Sequence, residues 1–177
     1  MFYISIDPGA SGSIALLDED KIVRIEDVPI TPSIYGSGKE LNAILLSDMI
    51  SELLTITNGI DNCCVAIEQV SAMPNQGVSS TFKFGVSFGI LKGLFAGLKI
   101  PTHYIKPTEW KTHFGLVNKE KDASRTLVLQ MYPSLSKDLK YKKSNGKSDA
   151  ILIGLYLRAR NNGEISVKRI RAIGKKT

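Results

Sequence analysis

Apolar positions along the chain fall into short blocks whose spacing alternates between two periods. Phe2 to Asp7, Ser13 to Leu17 and Ile22 to Val28 are compact β-prone runs, the first two separated by turn chemistry from Gly9 to Gly12, and they predict three opening strands in a meander. A loop over 29–38, carrying Pro29, Pro32, Gly36 and Gly38, precedes Leu41, Ile44, Leu45, Met49, Leu53 and Leu54, whose spacing predicts one long amphipathic helix. Cys63 to Glu68 is an apolar run that ends on a carboxylate, which predicts a buried parallel strand beside the first one, reached by the helical crossover. A loop of small residues over 71–80 leads into a Gly-containing helix from about Thr81 to Leu98, and Pro101 to Ile105 supplies another strand. Helical pieces over 107–114 and 119–132 follow, then a Lys- and Ser-rich loop over 134–147 and a last helix from near Ser148 to about Arg160. This order predicts an α/β domain over 1–163, its mixed sheet built of three antiparallel strands and then parallel strands, flanked by helices, with a basic tail over 164–177.

Composition narrows the class. With 43% hydrophobic and 23% charged residues the chain suits one globular core, and no apolar run approaches the ~20 residues of a membrane span. The first residues lack a basic leader before an apolar stretch, so the cytosol or a comparable reducing compartment is the expected location. Cys63 and Cys64 are adjacent and read as core hydrophobes, while His103 and His113 have no zinc-ligand spacing; any metal here should be hard and oxygen-bound. Charge is strongly asymmetric: residues 1–98 carry 5 Lys and Arg against 11 Asp and Glu, residues 99–177 carry 18 against 6. A field of that shape attracts a polyanion, which makes nucleic acid a serious partner.

Three acids stand where a carboxylate is costly. Asp7 and Glu68 each close an apolar strand, and parallel pairing would bring both to one sheet edge; Asp149 precedes the apolar run Ala150 to Leu157, a helix that must be buried, with Ala150 and Gly154 allowing close approach to the sheet. Asp7 alone is equally a turn former and Asp149 alone a helix cap, but Glu68 has neither excuse. Three like charges in a semi-buried cleft need a cation, and Mg²⁺ accepts a few carboxylates with water and phosphate oxygens.

The runs Ile6-Asp7-Pro8-Gly9-Ala10-Ser11-Gly12, Ala66-Ile67-Glu68-Gln69-Val70 and Lys147-Ser148-Asp149-Ala150 resemble, in order and spacing, the motifs of RuvC-type Holliday junction resolvases. The segment from Met73 to Gly85 resembles the bacteriophage and prophage members, and Lys106-Pro107-Thr108-Glu109-Trp110-Lys111 resembles their stretch after the fifth strand. The resemblance implies a ribonuclease H-like fold, a homodimer, no small-molecule cofactor, and nicking of four-way DNA junctions to 5′-phosphate and 3′-hydroxyl ends with Mg²⁺ or Mn²⁺, two ions per active site. By position, it makes Asp7, Glu68 and Asp149 the metal-binding catalytic carboxylates and Lys106 the lysine that steadies charge on the scissile phosphate. Members of the family usually carry a fourth acidic or His ligand just before the last carboxylate; the turn Lys143-Ser144-Asn145-Gly146-Lys147 has none, and Asn145 is the neutral substitute.

Other residues acquire expected places from this layout. Gln76, Ser79, Ser80, Lys83, Lys106, Lys111, Lys142, Lys143 and Lys147 are candidate DNA contacts, several of them equally well read as a solvated surface. The aromatic wedge that bacterial members place after Glu-Gln-Val is replaced by Ser71, with Met73 nearby, so recognition of junction shape is expected. Phe84 and Phe88 share a helical face suited to core or dimer packing, and Gly85, Gly89, Gly93 and Gly97 form a packing stripe that would admit another helix or the sheet, with the dimer interface one place for it. Alternatives are another ribonuclease H-like nuclease acting on branched DNA, RNA–DNA hybrid or RNA, and a junction-binding protein with weakened catalysis. An actin-like sugar or acyl kinase would need two such domains.

Overall fold

The structure is a computed structural model that describes residues 1–9, 11–69, 71, 77–141 and 145–165. Its five-stranded sheet runs in the order β3-β2-β1-β6-β7, formed by β1 (Phe2–Ile6), β2 (Ser13–Leu17), β3 (Ile22–Asp27), β6 (Cys63–Glu68) and β7 (Thr102–Ile105). The meander pairs antiparallel, while β1–β6 and β6–β7 pair parallel, as the apolar runs predicted. Helix α1 (Ala43–Ile56) is the crossover between the two halves, and its start is set by Asn42, whose Oδ1 accepts from the Ile44 and Leu45 amides.

Alternation along each strand sorts the core into two layers. Ile4, Ile6, Val65 and Ile67 face α1 and α2 (Val78–Gly97), meeting Leu46, Ile50, Leu91 and Phe95. Tyr3, Ala15, Cys64 and Ala66 face the opposite layer, made by α3 (Pro107–His113), α4 (Ala123–Met131) and α5 (Asn145–Asn161). Helix α5 is buried almost throughout, so its run of apolar residues needs the sheet on one side and α4 on another. Gly154 makes the contact possible: a Cβ there would come within 2.6 Å of both Ser5 Oγ and Leu17 Cδ1.

Three expectations change. The 29–38 loop contributes to a second, two-stranded sheet, β4 (Ile30–Pro32) with β5 (Lys39–Leu41), tied to α2 by a hydrogen bond from Lys83 Nζ to Ser37 O and by an edge-on contact of Tyr35 with Phe82. Helices α2 and α5 each begin three residues early, at Val78 and Asn145, so Ser79, Ser80, Asn145 and Lys147 are helical. Among the described residues nothing packs against the stripe Gly85, Gly89, Gly93 and Gly97, where a Cβ would meet open space; α2 buries the opposite side through Ser87, Leu91 and Phe95. Of the expected tail, residues 164 and 165 are described, and Ile165 still packs on the core.

The two kinds of glycine should respond oppositely to a methyl group. Gly154→Ala is expected to cost about 1–3 kcal/mol by overpacking, and Gly89→Ala to stabilise by up to about 1 kcal/mol through helix propensity, both read by urea denaturation.

Candidate active site

Strand alternation determines where two of the acids point. Asp7 follows the face of Tyr3 and Ser5, Glu68 that of Cys64 and Ala66, and both faces turn toward α5. Because Ile6 lies opposite Ile67, the next residue on each strand is one of the two acids, at the carboxyl ends of adjacent parallel strands. That is where open α/β sheets place their chemistry. The third acid arrives with α5, whose first turn lies against the Asp7 turn: a Cβ on Gly146 would sit 2.4 Å from Ser11 O and 3.3 Å from Asp7 Oδ2. Gly12 is similarly committed, because a Cβ there would meet Asp7 O at 2.0 Å.

The three carboxylates sense one another. Burial, then the charges of Glu68 and Asp149, push the Asp7 carboxyl from its ordinary 3.8 up to about 8, against the opposing pull of Lys111. Burial also raises Glu68, reinforced by Asp149 and countered by the Trp110 indole N–H and by Lys111. Asp149 is raised by burial, countered by a hydrogen bond from Ser124 and by Lys111 and Lys121. Among the described residues Lys111 is the cation that bears on all three acids.

The donor set suits a hard divalent ion. Asn145 and Asp149 stand one helical turn apart on α5, and the Oδ1 of each is buried with no hydrogen-bond partner among the described residues, although Asn145 Nδ2 donates to Lys121 O at 3.2 Å. Oxygens left bare inside a fold are costly, and a cation would satisfy them. Among the described residues no group of three or more Asp, Glu, His or Cys side chains stands close enough together to hold a metal ion by itself. An ion here would complete its shell with the Asn145 oxygen, water and phosphate, as Mg²⁺ commonly does.

The basic candidates separate on inspection. Lys106 is exposed at the start of α3, its amide donating to Glu109 Oε2 at 2.8 Å, whereas Lys111 is half-buried with Nζ 5.1 Å from the Trp110 ring centroid. Lys83 holds the hairpin, and Lys147 is 3.8 Å from Asp27 Oδ1. Ser80 and Lys83 share a cleft of about 290 Å³ with Gly9, Ser11, Lys39, Phe84 and Ser87, while Ser79 is exposed beside it on α2. Gln76, Lys142 and Lys143, like Met73, lie outside the described residues. Sequence reasoning passed over Trp110, Ser124, Lys121 and Lys39. Only Trp110 carried a signal, as the single tryptophan of the chain, next to Lys111.

Comparison with known proteins bears on the fold. No protein-family profile matches the chain. The chloroplastic Holliday junction resolvase MOC1 of Chlamydomonas reinhardtii is 31% identical over 91 residues, 51% of this chain and 10% of that protein. The chain therefore spans about a tenth of the length of the curated relative it matches. RuvC of Thermus thermophilus superposes with a TM-score of 0.56 at 19% identity, covering 92% of this chain and 97% of that one. The same protein in complex with a Holliday junction substrate gives 0.55 at 17%, with the same coverage. The fowlpox virus Holliday junction resolvase gives 0.55 at 18%, covering 91% and 99%. The fold is that of RuvC and the ribonuclease H-like proteins.

The raised Asp7 carboxyl has a consequence for stability without metal. Its proton is retained by the native state up to about pH 8 but is lost from the unfolded chain above about pH 4, so stability falls as pH rises through that window. Asp7→Asn should be neutral near pH 4 and stabilising by on the order of 2 kcal/mol at pH 9, measured by urea denaturation in chelator.

Proposed function

We propose that this chain is a structure-selective endonuclease that resolves four-way DNA junctions by divalent-metal-dependent phosphodiester hydrolysis, leaving 5′-phosphate and 3′-hydroxyl ends. The observation that carries the reading is the approach of Asp7, Glu68 and Asp149, from β1, β6 and α5, to one partly buried site, where the first turn of α5 lies against Asp7, Glu68 and Asp149 bear on Asp7, and Asp149 bears on Glu68. Support comes from a fold shared with a RuvC structure that contains a Holliday junction, and from the resemblance of half the chain to a junction resolvase.

In this reading the acids and Asn145 hold two Mg²⁺ or Mn²⁺ ions, which when bound activate water and stabilise the leaving 3′-oxygen. The rest is done by the protein. Asp7 and Glu68, fixed at strand ends, supply ligands that need little reorganisation, and Asp149 is steadied by Ser124. Lys111, already beside the acids, offsets negative charge building on the scissile phosphate, the role expected of Lys106 from sequence. Lys39, Lys83 and Ser80 line the adjoining cleft, sized for backbone phosphates and continuous with the Asp7 turn through Gly9 and Ser11. A second copy docking on the open glycine face of α2 would give the pair of sites that two symmetric nicks require.

Purified protein incubated with labelled four-way junction, duplex, flap and RNA–DNA hybrid, with Mg²⁺, Mn²⁺ or chelator, tests this directly. Paired symmetric nicks confined to the junction are the expected result; cleavage of the hybrid instead would select a different ribonuclease H-like nuclease, and junction binding with no nicking a weakened enzyme. Asp7→Asn should abolish cleavage while junction affinity persists, and Lys111→Ala should slow cleavage roughly a hundredfold, well beyond Lys106→Ala. Junction affinity should fall steeply with added salt through counterion release, as a titration by gel shift would show.

A further inference from the structure

Trp110 is fully buried and is the single tryptophan of the chain. A core tryptophan needs one acceptor for its indole N–H. Here the acceptor is a carboxylate of the candidate site, Glu68 Oε1, at 2.9 Å. The bond joins α3 to the end of β6 across 42 residues of sequence.

Glu68 has reason to move without it. Its side chain has three rotatable bonds, and the neighbouring negative charges of Asp7 and Asp149 favour any rotamer that carries its carboxylate outward. A donor on Oε1 opposes that motion and leaves Oε2 as the oxygen the indole does not engage. The donor itself is rigid, because the ring lies in the core cluster with Tyr156 and Val128. Helix α3 is held in turn by Pro107 at its first position and by the bond from the Lys106 amide to Glu109. The next residue, Lys111, lies against the same indole ring and is the cation nearest in effect to the acids. A phenylalanine or leucine would fill the core at 110 but could not hold the glutamate.

We propose that Trp110 is a positioning residue of the candidate metal site, its indole N–H holding Glu68 in the orientation that ligates a divalent ion. The proposal rests on the metal-nuclease reading above. Partners of this kind behind a metal ligand are commonly worth ten- to a hundredfold in affinity.

A single tryptophan permits a test at one atom. Trp110 is replaced by its sulfur isostere, benzothienylalanine, in a tryptophan auxotroph, which keeps the ring and removes the N–H; Trp110→Phe is the genetic counterpart, and the isostere decides where the Phe variant fails to fold. Mn²⁺ binding by calorimetry, melting temperature, junction affinity and junction cleavage are measured on each. The expected result is Mn²⁺ binding weakened about ten- to a hundredfold, the Mn²⁺ needed for half-maximal cleavage raised to match, and junction affinity and melting unchanged. Native tryptophan emission should also shift on Mg²⁺ binding, and Glu68→Gln should abolish the shift. Undiminished Mn²⁺ affinity in a folded isostere protein, beside native protein that binds Mn²⁺ and nicks junctions, overturns the positioning role alone. Native protein that neither binds Mn²⁺ nor nicks junctions overturns the nuclease reading and the role with it.

Discussion

The close seat of α5 on the sheet is the constraint from which most of the molecule follows. Its apolar face, from Ala150 to Leu157, is stable only under cover, and each large side chain removed from water contributes roughly 1.5–3 kcal/mol. Cover at that distance is available because the sheet presents Ser5, Ala15 and Ala66 where larger residues would block it, and because Gly154 has no Cβ to collide with Ser5 and Leu17. The same approach forces Gly146 against the Asp7 turn and brings Asp149 among acids that repel it. Packing thus imposes an electrostatic cost on the cluster.

How that cost is carried explains the character of the site. Desolvation is the largest influence on all three carboxyls, and their mutual repulsion adds to it for Asp7 and Glu68. Two partial remedies come from one short helix: α3 supplies a fixed dipole through Trp110 and a full charge through Lys111. Neither neutralises the cluster, and the bare oxygens of Asn145 and Asp149 show where acceptor capacity is left over. A cation bound at such a site would compete with protons, so metal affinity and acidity would be linked.

Basic residues divide by what already holds them. Lys83 is engaged by the hairpin backbone and Lys147 lies beside Asp27. Lys39, absent from the sequence-derived set of contacts, reaches the cleft next to the Asp7 turn because β5 pairs with β4. Proximity in the chain was a poor guide to which lysine meets the acids. A single turn of α3 separates Lys106, left at the surface, from Lys111, drawn toward the centre.

The chain's own pattern determined the strands, the parallel pairing of Cys63–Glu68 beside Phe2–Ile6, and the sheet edge that Asp7 and Glu68 share, because each acid closes an apolar run and the runs pair in parallel. It also marked Gly154 as a point of close approach. Tertiary structure alone decided the rest. Asn145-Gly146-Lys147 carries the composition of a turn and becomes helix because packing against Ser11 and Asp7 overrides local propensity. The glycine stripe of α2 has the spacing of a buried seam and faces open space, since nothing in its periodicity says which side the sheet will occupy. Trp110 meets Glu68 only once β7 and α3 are folded back alongside β6, a contact between residues far apart in sequence that no local signal encodes.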